Sequence, residues 1–316
     1  MKMEFNQEAK KRLYQRLSEI LDSEQILFNE EMSAHTTFRT GGKADIFIEI
    51  DTSAQLGSVL AALRAEGLSR LNEDFFLLGN GSNVLVSDKG IQGVVLHLSK
   101  AYANIVVHDT TLVCEAGATL AQVAHKACEH ALTGFEFAAG IPGSIGGAIV
   151  MNAGAYGGEM RQVVERVLLI TPDGTFIEKS GAEMNFAYRH SIVKEQPLIV
   201  LEVTLALTHG NQEEIQARMK DLASRRWEKQ PLEYPSAGST FKRPEGYFAG
   251  KLIEEAGLRG FSVGGAQISE KHCGFVINKN NASAADIQAL ITEVQRRVYA
   301  SAKVTLEPEV ILLGFD

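Results

Sequence analysis

Two glycine-rich stretches restrict what this chain can become more than any other feature: LGNGSNVLVSDKG at 78–90 and AAGIPGSIGGAIVMNAGAYGG at 138–158. Glycine lets backbone N–H groups come close to a ligand, and successive N–H groups form anion-binding nests. Ser82, Asn83, Ser144 and Asn152 add short side-chain donors. Both stretches therefore read as segments built to hold a phosphate. Neither is a Walker loop, because GxxxxGKS/T does not occur. Gly79-Asn80-Gly81-Ser82-Asn83-Val84 matches the first two glycines of the Rossmann fingerprint but carries valine at the third, and LVSDKG after it reads as strand and turn. A dinucleotide is thus expected to lie along loops and not on a Rossmann helix. Tight turns in a strand-rich region account for either stretch alone, and less well for two.

Around these stretches the pattern is mixed α and β. Phe5–Asp22 reads as an amphipathic helix with Leu13, Leu17, Ile20 and Leu21 on one face. Ala44–Ile50 alternates as a strand. Thr52 and Gln55 stand at capping-box spacing before a helix with the stripe Leu56, Val59, Leu60 and Leu63, closed by Gly67. DFFLLG completes a strand–helix–strand unit over 44–79. Short strands follow (VVLHL, NIVVH, TLVCEAG). A second capped helix then opens at Thr119 and Gln122, with Leu120, Val123, Ala127 and Ala131 inward and Gly134 as its stop. TPDGT turns between two strands, and LIVLEVTLAL is apolar enough to be buried on both faces. Beyond residue 210 come a helix running to Pro231, a loop-rich insert, a long helix capped by Ser283 and Asp286 with the face Ile287, Leu290, Ile291, Val294 and Val298, and a strand-like VTLEPEVILLG.

The 316 residues, 45% of them apolar, suffice for two domains or one large domain with an appendage. A net charge of −8 makes nucleic acid and anionic membranes poor partners while leaving room for a local basic pocket. Cys114, Cys128 and Cys273 form no CxxC pair, the N-terminus is too charged for a signal peptide, and no apolar run reaches a membrane span, so a reducing cytoplasm is expected. The eight histidines show no HExxH or HxH spacing, so no metal is expected.

Three segments carry reactive side chains. AYRHS holds Tyr188, Arg189, His190 and Ser191; SAGSTFKR holds Ser239, Lys242 and Arg243; LEPEV holds Glu307 and Glu309 around Pro308, which suits an edge or irregular strand. Each has an ordinary explanation: a surface ion pair, a turn, a solvated strand carboxylate. GxSxG is absent, so a hydrolase triad is weakly supported.

In this order TTFRTGGKADIF, GNGSNVLVSDKG, GIPGSIGGAIVMNAGAYGGEM, YRHS, AGSTFKRP and LEPEV resemble the UDP-N-acetylenolpyruvoylglucosamine reductase family, the flavoenzymes that complete UDP-N-acetylmuramate for peptidoglycan. The match runs from about Ser33 to Gly314. The short link between YRHS and the next strand lacks the insertion of type I members, so the chain resembles type II. The resemblance implies an α+β fold: a vanillyl-alcohol-oxidase-type (PCMH) FAD-binding fold of two α+β subdomains with a C-terminal α+β substrate domain. On that reading residues 1–30 form an N-terminal helix, 31–210 the FAD-binding domain and 211–316 the substrate domain. It implies FAD as cofactor, NADPH as hydride donor and a UDP-sugar enolpyruvyl ether as the small-molecule substrate. By position, Ser239 matches the family's proton donor, Arg189 its active-site arginine and Glu309, the glutamate before valine, its active-site glutamate. Arg39, Gly79, Asn80, Gly81, Ser82 and Asn83 fall in cofactor-binding motifs, as do Gly140, Pro142, Gly143, Ser144, Gly146, Gly147, Asn152, Gly154 and Ala155. Tyr188, Lys229, Lys242, Arg243 and Gln267 match substrate-binding positions. Ile311 stands where many relatives have arginine. Two other readings remain open: an alcohol or hydroxy-acid oxidase on the same fold, and a nucleotide-binding regulator without activity.

Overall fold

Caps and apolar stripes set the helices. In this computed structural model, which describes residues 7–315, helix α1 is Gln7–Leu17, α2 Ser53–Ala65, α3 Leu120–Glu129, α4 Ile145–Met151, α5 Gln212–Lys229, α6 Ala249–Glu255 and α7 Ala284–Ala302. α1 buries Leu13 and Leu17. It is shorter than its stripe implied, because Ile20 and Leu21 follow it in turns, with Leu21 N donating to Leu17 O at 2.9 Å. Phe5 and Asn6, the expected start of this helix, lie outside the described residues. Arg16 and Arg12 both reach Glu66, just past α2, at 2.8 and 2.9 Å. The Arg16 hydrogen bond, with help from Arg12, holds the Glu66 carboxyl below the usual carboxylate range.

The expected box on α2 forms by halves. Thr52 Oγ1 accepts from Gln55 N at 3.1 Å, but the Gln55 side chain accepts from Asp51 N and not from Thr52 N. The boxes on α3 (Thr119 with Gln122) and α7 (Ser283 with Asp286) are complete. α3 ends earlier than expected. Ala131 sits beyond it in the left-handed region with φ 54°, so it does not share the helix's inward face, and Gly134 lies past the next short strand. α4 was not expected at all: the second glycine-rich stretch is not loop throughout. Ser144 starts this helix by accepting from Gly147 N at 3.3 Å, and Asn152 ends it in the left-handed conformation.

The chain divides into two compact units. The first comprises Ile46–Gly79, Gly93–Ser224 and the chain up to Phe28; the second comprises Asn29–Asp45, Asn80–Gln92 and the chain from Arg225 on. A four-stranded sheet has the order Ile26–Glu31, Lys43–Ile50, Ile91–Leu98, Phe75–Leu78. Ile91–Leu98 therefore separates the two strands of the expected strand–helix–strand unit, and Phe75–Leu78 runs parallel to it. A five-stranded antiparallel sheet has the order Phe176–Ser180, Val164–Ile170, Ile199–Ala206, Thr111–Glu115, Ile105–His108. Its centre is Ile199–Ala206, where six of eight residues are fully or nearly fully buried, as its continuous apolar run requires. The first unit's core joins both sheets to α1–α3 through residues such as Leu17, Ile48, Leu63, Val123 and Val203.

The second unit has its own core, in which Ile287, Leu290, Ile291, Val294 and Val298 of α7 pack with Ile253, Phe241, Phe38 and Leu85. A three-stranded antiparallel sheet, Ser262–Val263, Ala266–Ile268 and Val276–Asn278, lies in this unit. Only Ile311–Leu313 of VTLEPEVILLG is regular strand, and it pairs in parallel with Val84–Val86. Asp88, at the end of the first glycine-rich stretch, accepts from Ala284 N and Ala285 N at 2.8 and 2.9 Å and so caps α7 alongside Ser283. No helix among the described residues is long and apolar enough to cross a membrane.

Candidate active site

In the first unit Gly79, at the head of the first glycine-rich stretch, lies against Ser144 of the second. A Cβ on Gly79 would stand 2.7 Å from Ser144 Oγ, so the backbone at 79 approaches Ser144 more closely than any side chain allows. Ser144 is itself buried and is held to the strand end by Leu120 N donating to Gly143 O and by Ile145 N and Gly146 N donating to Ala118 O and Ala116 O. Gly154–Ala155 and Gly158–Glu159 form a small hairpin after α4.

Asn152 does something the sequence reading did not foresee. Its side chain points inward: Nδ2 donates to Glu159 Oε2 at 2.9 Å and to Ala187 O at 3.1 Å, and Oδ1 accepts from Arg161 N at 3.0 Å. Both amide hydrogens are thus engaged within the protein. The Ala187 contact matters because Ala187 and His190 close a turn through a pair of 3.1 Å backbone hydrogen bonds, with Tyr188 and Arg189 at its tip. Arg189 has φ 54°, a left-handed conformation that arginine adopts at a cost. Ser191 Oγ donates to Val150 O of α4 at 3.1 Å and Lys194 Nζ, in the segment after the turn, to Arg189 O at 3.4 Å, so α4 and the following segment both anchor the turn. The Arg189 guanidinium stands 5.2 Å from the Tyr188 ring centroid, and Tyr188 is more than half exposed.

The second unit brings Ser239 and Glu309 into neighbouring chain segments. Glu309 N donates to Thr240 O at 2.8 Å and Lys242 N to Glu307 O at 2.8 Å, which brackets an antiparallel bridge between Phe241 and Pro308. Pro308 fills the one position of this ladder that needs no N–H. Thr240, next to Ser239, is fully buried; its N donates to Gly274 O and its Oγ1 accepts from Val276 N at 3.0 Å. Ser239 itself is exposed. Asn83 of the first glycine-rich stretch joins the same layer: its Nδ2 donates to Glu309 O at 3.1 Å, and Ile311 N donates to Asn83 O at 3.0 Å. Gly81, with φ 58°, approaches the His35 carbonyl so closely that a Cβ would lie 1.9 Å from its oxygen, and Gly81 O accepts from Thr37 N. The loop bearing Arg39 is therefore laid against the glycine stretch. Arg39, like Arg189, has positive φ.

Other expected substrate residues are engaged locally. Lys242 pairs with Glu307 at 3.0 Å. Arg243 stacks over Phe248 at 3.9 Å. Gln267 Nε2 donates to Gly260 O and Ser262 Oγ at 3.2 and 3.1 Å, which braces its own hairpin. Lys229 is exposed in the last turn of α5. Two lysines that sequence reasoning passed over lie in the same unit: Lys271 Nζ donates to Trp227 O at 2.6 Å, and Lys279 sits over the Tyr234 ring at 3.9 Å. No group of three or more His, Cys, Asp or Glu able to hold a metal occurs among the described residues.

Known proteins share both the sequence and the fold of this chain. Residues 44–180 match the family model of an FAD binding domain, and residues 230–313 that of the UDP-N-acetylenolpyruvoylglucosamine reductase C-terminal domain. The chain is 50% identical over 302 residues to the UDP-N-acetylenolpyruvoylglucosamine reductase of Caldanaerobacter subterraneus subsp. tengcongensis, covering 96% of this chain and 98% of that one. It is 48% identical over 304 residues to the reductase of Clostridioides difficile, with 96% and 98% covered. The crystal structure of the Thermus caldophilus reductase superposes with a TM-score of 0.75 at 34% identity, covering 91% of this chain and 98% of that one. The α+β FAD-binding fold expected from the resemblance is the fold observed. The chain belongs to the UDP-N-acetylenolpyruvoylglucosamine reductase family and is an FAD-dependent oxidoreductase.

Proposed function

We propose that the protein reduces the enolpyruvyl group of UDP-N-acetylenolpyruvoylglucosamine to give UDP-N-acetylmuramate, with NADPH as hydride donor, as a cytoplasmic step of peptidoglycan precursor synthesis. The observation that carries this reading is the hydrogen-bonded layer in which Thr240, Glu309 and Asn83 meet. It ties the chain segment of a candidate proton donor to a carboxylate segment and to a glycine-rich stretch. The FAD, when bound, supplies a two-electron carrier between the nicotinamide and the substrate double bond.

The glycine-rich backbone at 79–83 and 140–155 holds the cofactor's phosphates, because N–H groups free of side-chain bulk complement anionic oxygen best. Arg39 adds a cation there. Residues 31–210, apart from Tyr188 and Arg189, then serve the cofactor and 211–316 the substrate. On hydride arrival at the vinyl carbon, negative charge spreads over the adjacent carbon and its carboxylate. Arg189, held by a strained turn on α4, offers a fixed positive charge to that state. Ser239 Oγ gives its proton to the carbanion carbon, and Glu309 or water returns one to the serine. Ser239 needs no activating histidine for this, because it donates a proton and does not attack. Lys229, Lys242, Arg243, Gln267 and Tyr188 serve the sugar nucleotide.

Ser239→Ala tests this with the two half-reactions measured separately. NADPH should bleach the flavin at the wild-type rate, while reoxidation by the enolpyruvyl substrate slows by about a hundredfold or more, within the range for a proton-delivering group. Equal slowing of both half-reactions would remove Ser239 from the proton step.

A further inference from the structure

His272 lies in the second unit, and the proton chemistry above does not use it. Its ring is half-buried and packs edge-on against Phe275, with centroids 4.9 Å apart. Nδ1 accepts a hydrogen bond from Gly274 N at 3.1 Å. Gly274 O in turn accepts from Thr240 N at 2.9 Å, one residue from Ser239. The ring fits tightly: a Cβ on Gly274 would stand 2.9 Å from its Cε1, and one on Gly250 of α6 3.7 Å away. From its own segment, His272 N donates to Ser269 Oγ at 3.2 Å. The charged side chain acting on the ring is Arg259, itself tied to Glu254 at 2.7 Å.

An imidazole that accepts through Nδ1 must carry no proton there. Protonation would set an N–H against the Gly274 N–H and break the link that passes through Gly274 to Thr240. We propose that His272 is a positioning residue for proton delivery: its neutral ring pins the Gly274 backbone against Thr240 and thereby sets where Ser239 presents its hydroxyl. This rests on the reading of Ser239 as proton donor. Burial, the largest cause, outweighs the opposing hydrogen bond to its own backbone and, with Arg259 adding to it, holds the imidazole below its ordinary range, which favours the form the Gly274 hydrogen bond requires. The link is intact at neutral pH and is lost as pH falls through a value below the ordinary 6.5.

The test uses the flavin-loaded full-length enzyme and two variants. His272→Asn can present an amide oxygen close to where Nδ1 stood; His272→Leu fills the space with no acceptor. In wild type, substrate-driven flavin reoxidation should decline on the acid side. His272→Asn should keep the neutral-pH rate within about threefold and lose that decline. His272→Leu should be about tenfold slower than wild type at neutral pH and converge on it in acid, while NADPH-driven reduction stays within twofold of wild type. Independently of turnover, amide exchange at Gly274 should quicken in acid relative to its neighbours in wild type and not in His272→Asn. The proposal is overturned if His272→Leu reoxidises at the wild-type rate at neutral pH, if His272→Asn keeps the acid decline, or if both half-reactions fall together. If Ser239→Ala reoxidises normally, the proton-donor reading fails instead, and this proposal falls with it.

Discussion

Arg189, the proposed cation of the reaction, occupies a strained backbone conformation. Its φ of 54° is a conformation that glycine adopts freely and arginine does not. The turn persists because Asn152, Ser191 and Lys194 hold it from three directions. Arg189→Gly should therefore relax the backbone and leave stability unchanged or raised by up to about 1 kcal/mol. The same change should lower substrate reduction by about a hundredfold or more through loss of the cation. Arg189→Lys keeps the strain and the charge but not the planar fork, so it should fall between them in rate with no gain in stability. Urea midpoints and single-turnover rates on the three proteins check this. A gain in rate with Arg189→Gly would separate the turn from the reaction.

Among the elements, α7 shows how local and distant signals divide. Its stripe and its Ser283–Asp286 box are written within a few residues of one another, and the structure repeats both. The α3 box was legible for the same reason. α4 was hidden, because glycines at its second and third positions have low helix propensity and its length of seven residues leaves no periodic stripe to read. Asp88 was hidden differently: it caps α7 from 196 residues away, and no local pattern announces such a contact. The layout of the candidate site divides along the same line. The glycine stretches stood out in the sequence, whereas the pairing of Asn83 with Glu309 and the inward turn of Asn152 depend on long-range packing. Asp88→Ala should leave two first-turn N–H groups of α7 unpaired and cost about 1–3 kcal/mol. That cost should appear as a lower urea midpoint with an unchanged slope.

For the whole molecule, acid should act in stages. Glu66 and Asp286 have carboxyls held below their ordinary range, by the Arg16 hydrogen bond and by the Gly265 N–H respectively. Depressed carboxylates contribute stability that is complete above their unfolded values and is lost as pH falls through the folded ones, so this part should fade below about pH 4. His272 acts earlier and for the opposite reason. The unfolded chain takes up a proton near 6.5 that the folded ring resists, so stability should begin to fall below that value. Urea midpoints measured from pH 8 to 3 should show both phases, with the earlier one absent in His272→Asn. The parallel pairing of Val84–Val86 with Ile311–Leu313 has a consequence for biosynthesis. Asn83 and Glu309 are 226 residues apart, so a ribosome adding about 5–20 residues per second exposes the earlier strand for roughly 10–45 s before its mate emerges. Throughout that interval a nascent Val-Leu-Val edge stands without its native mate and open to other chains.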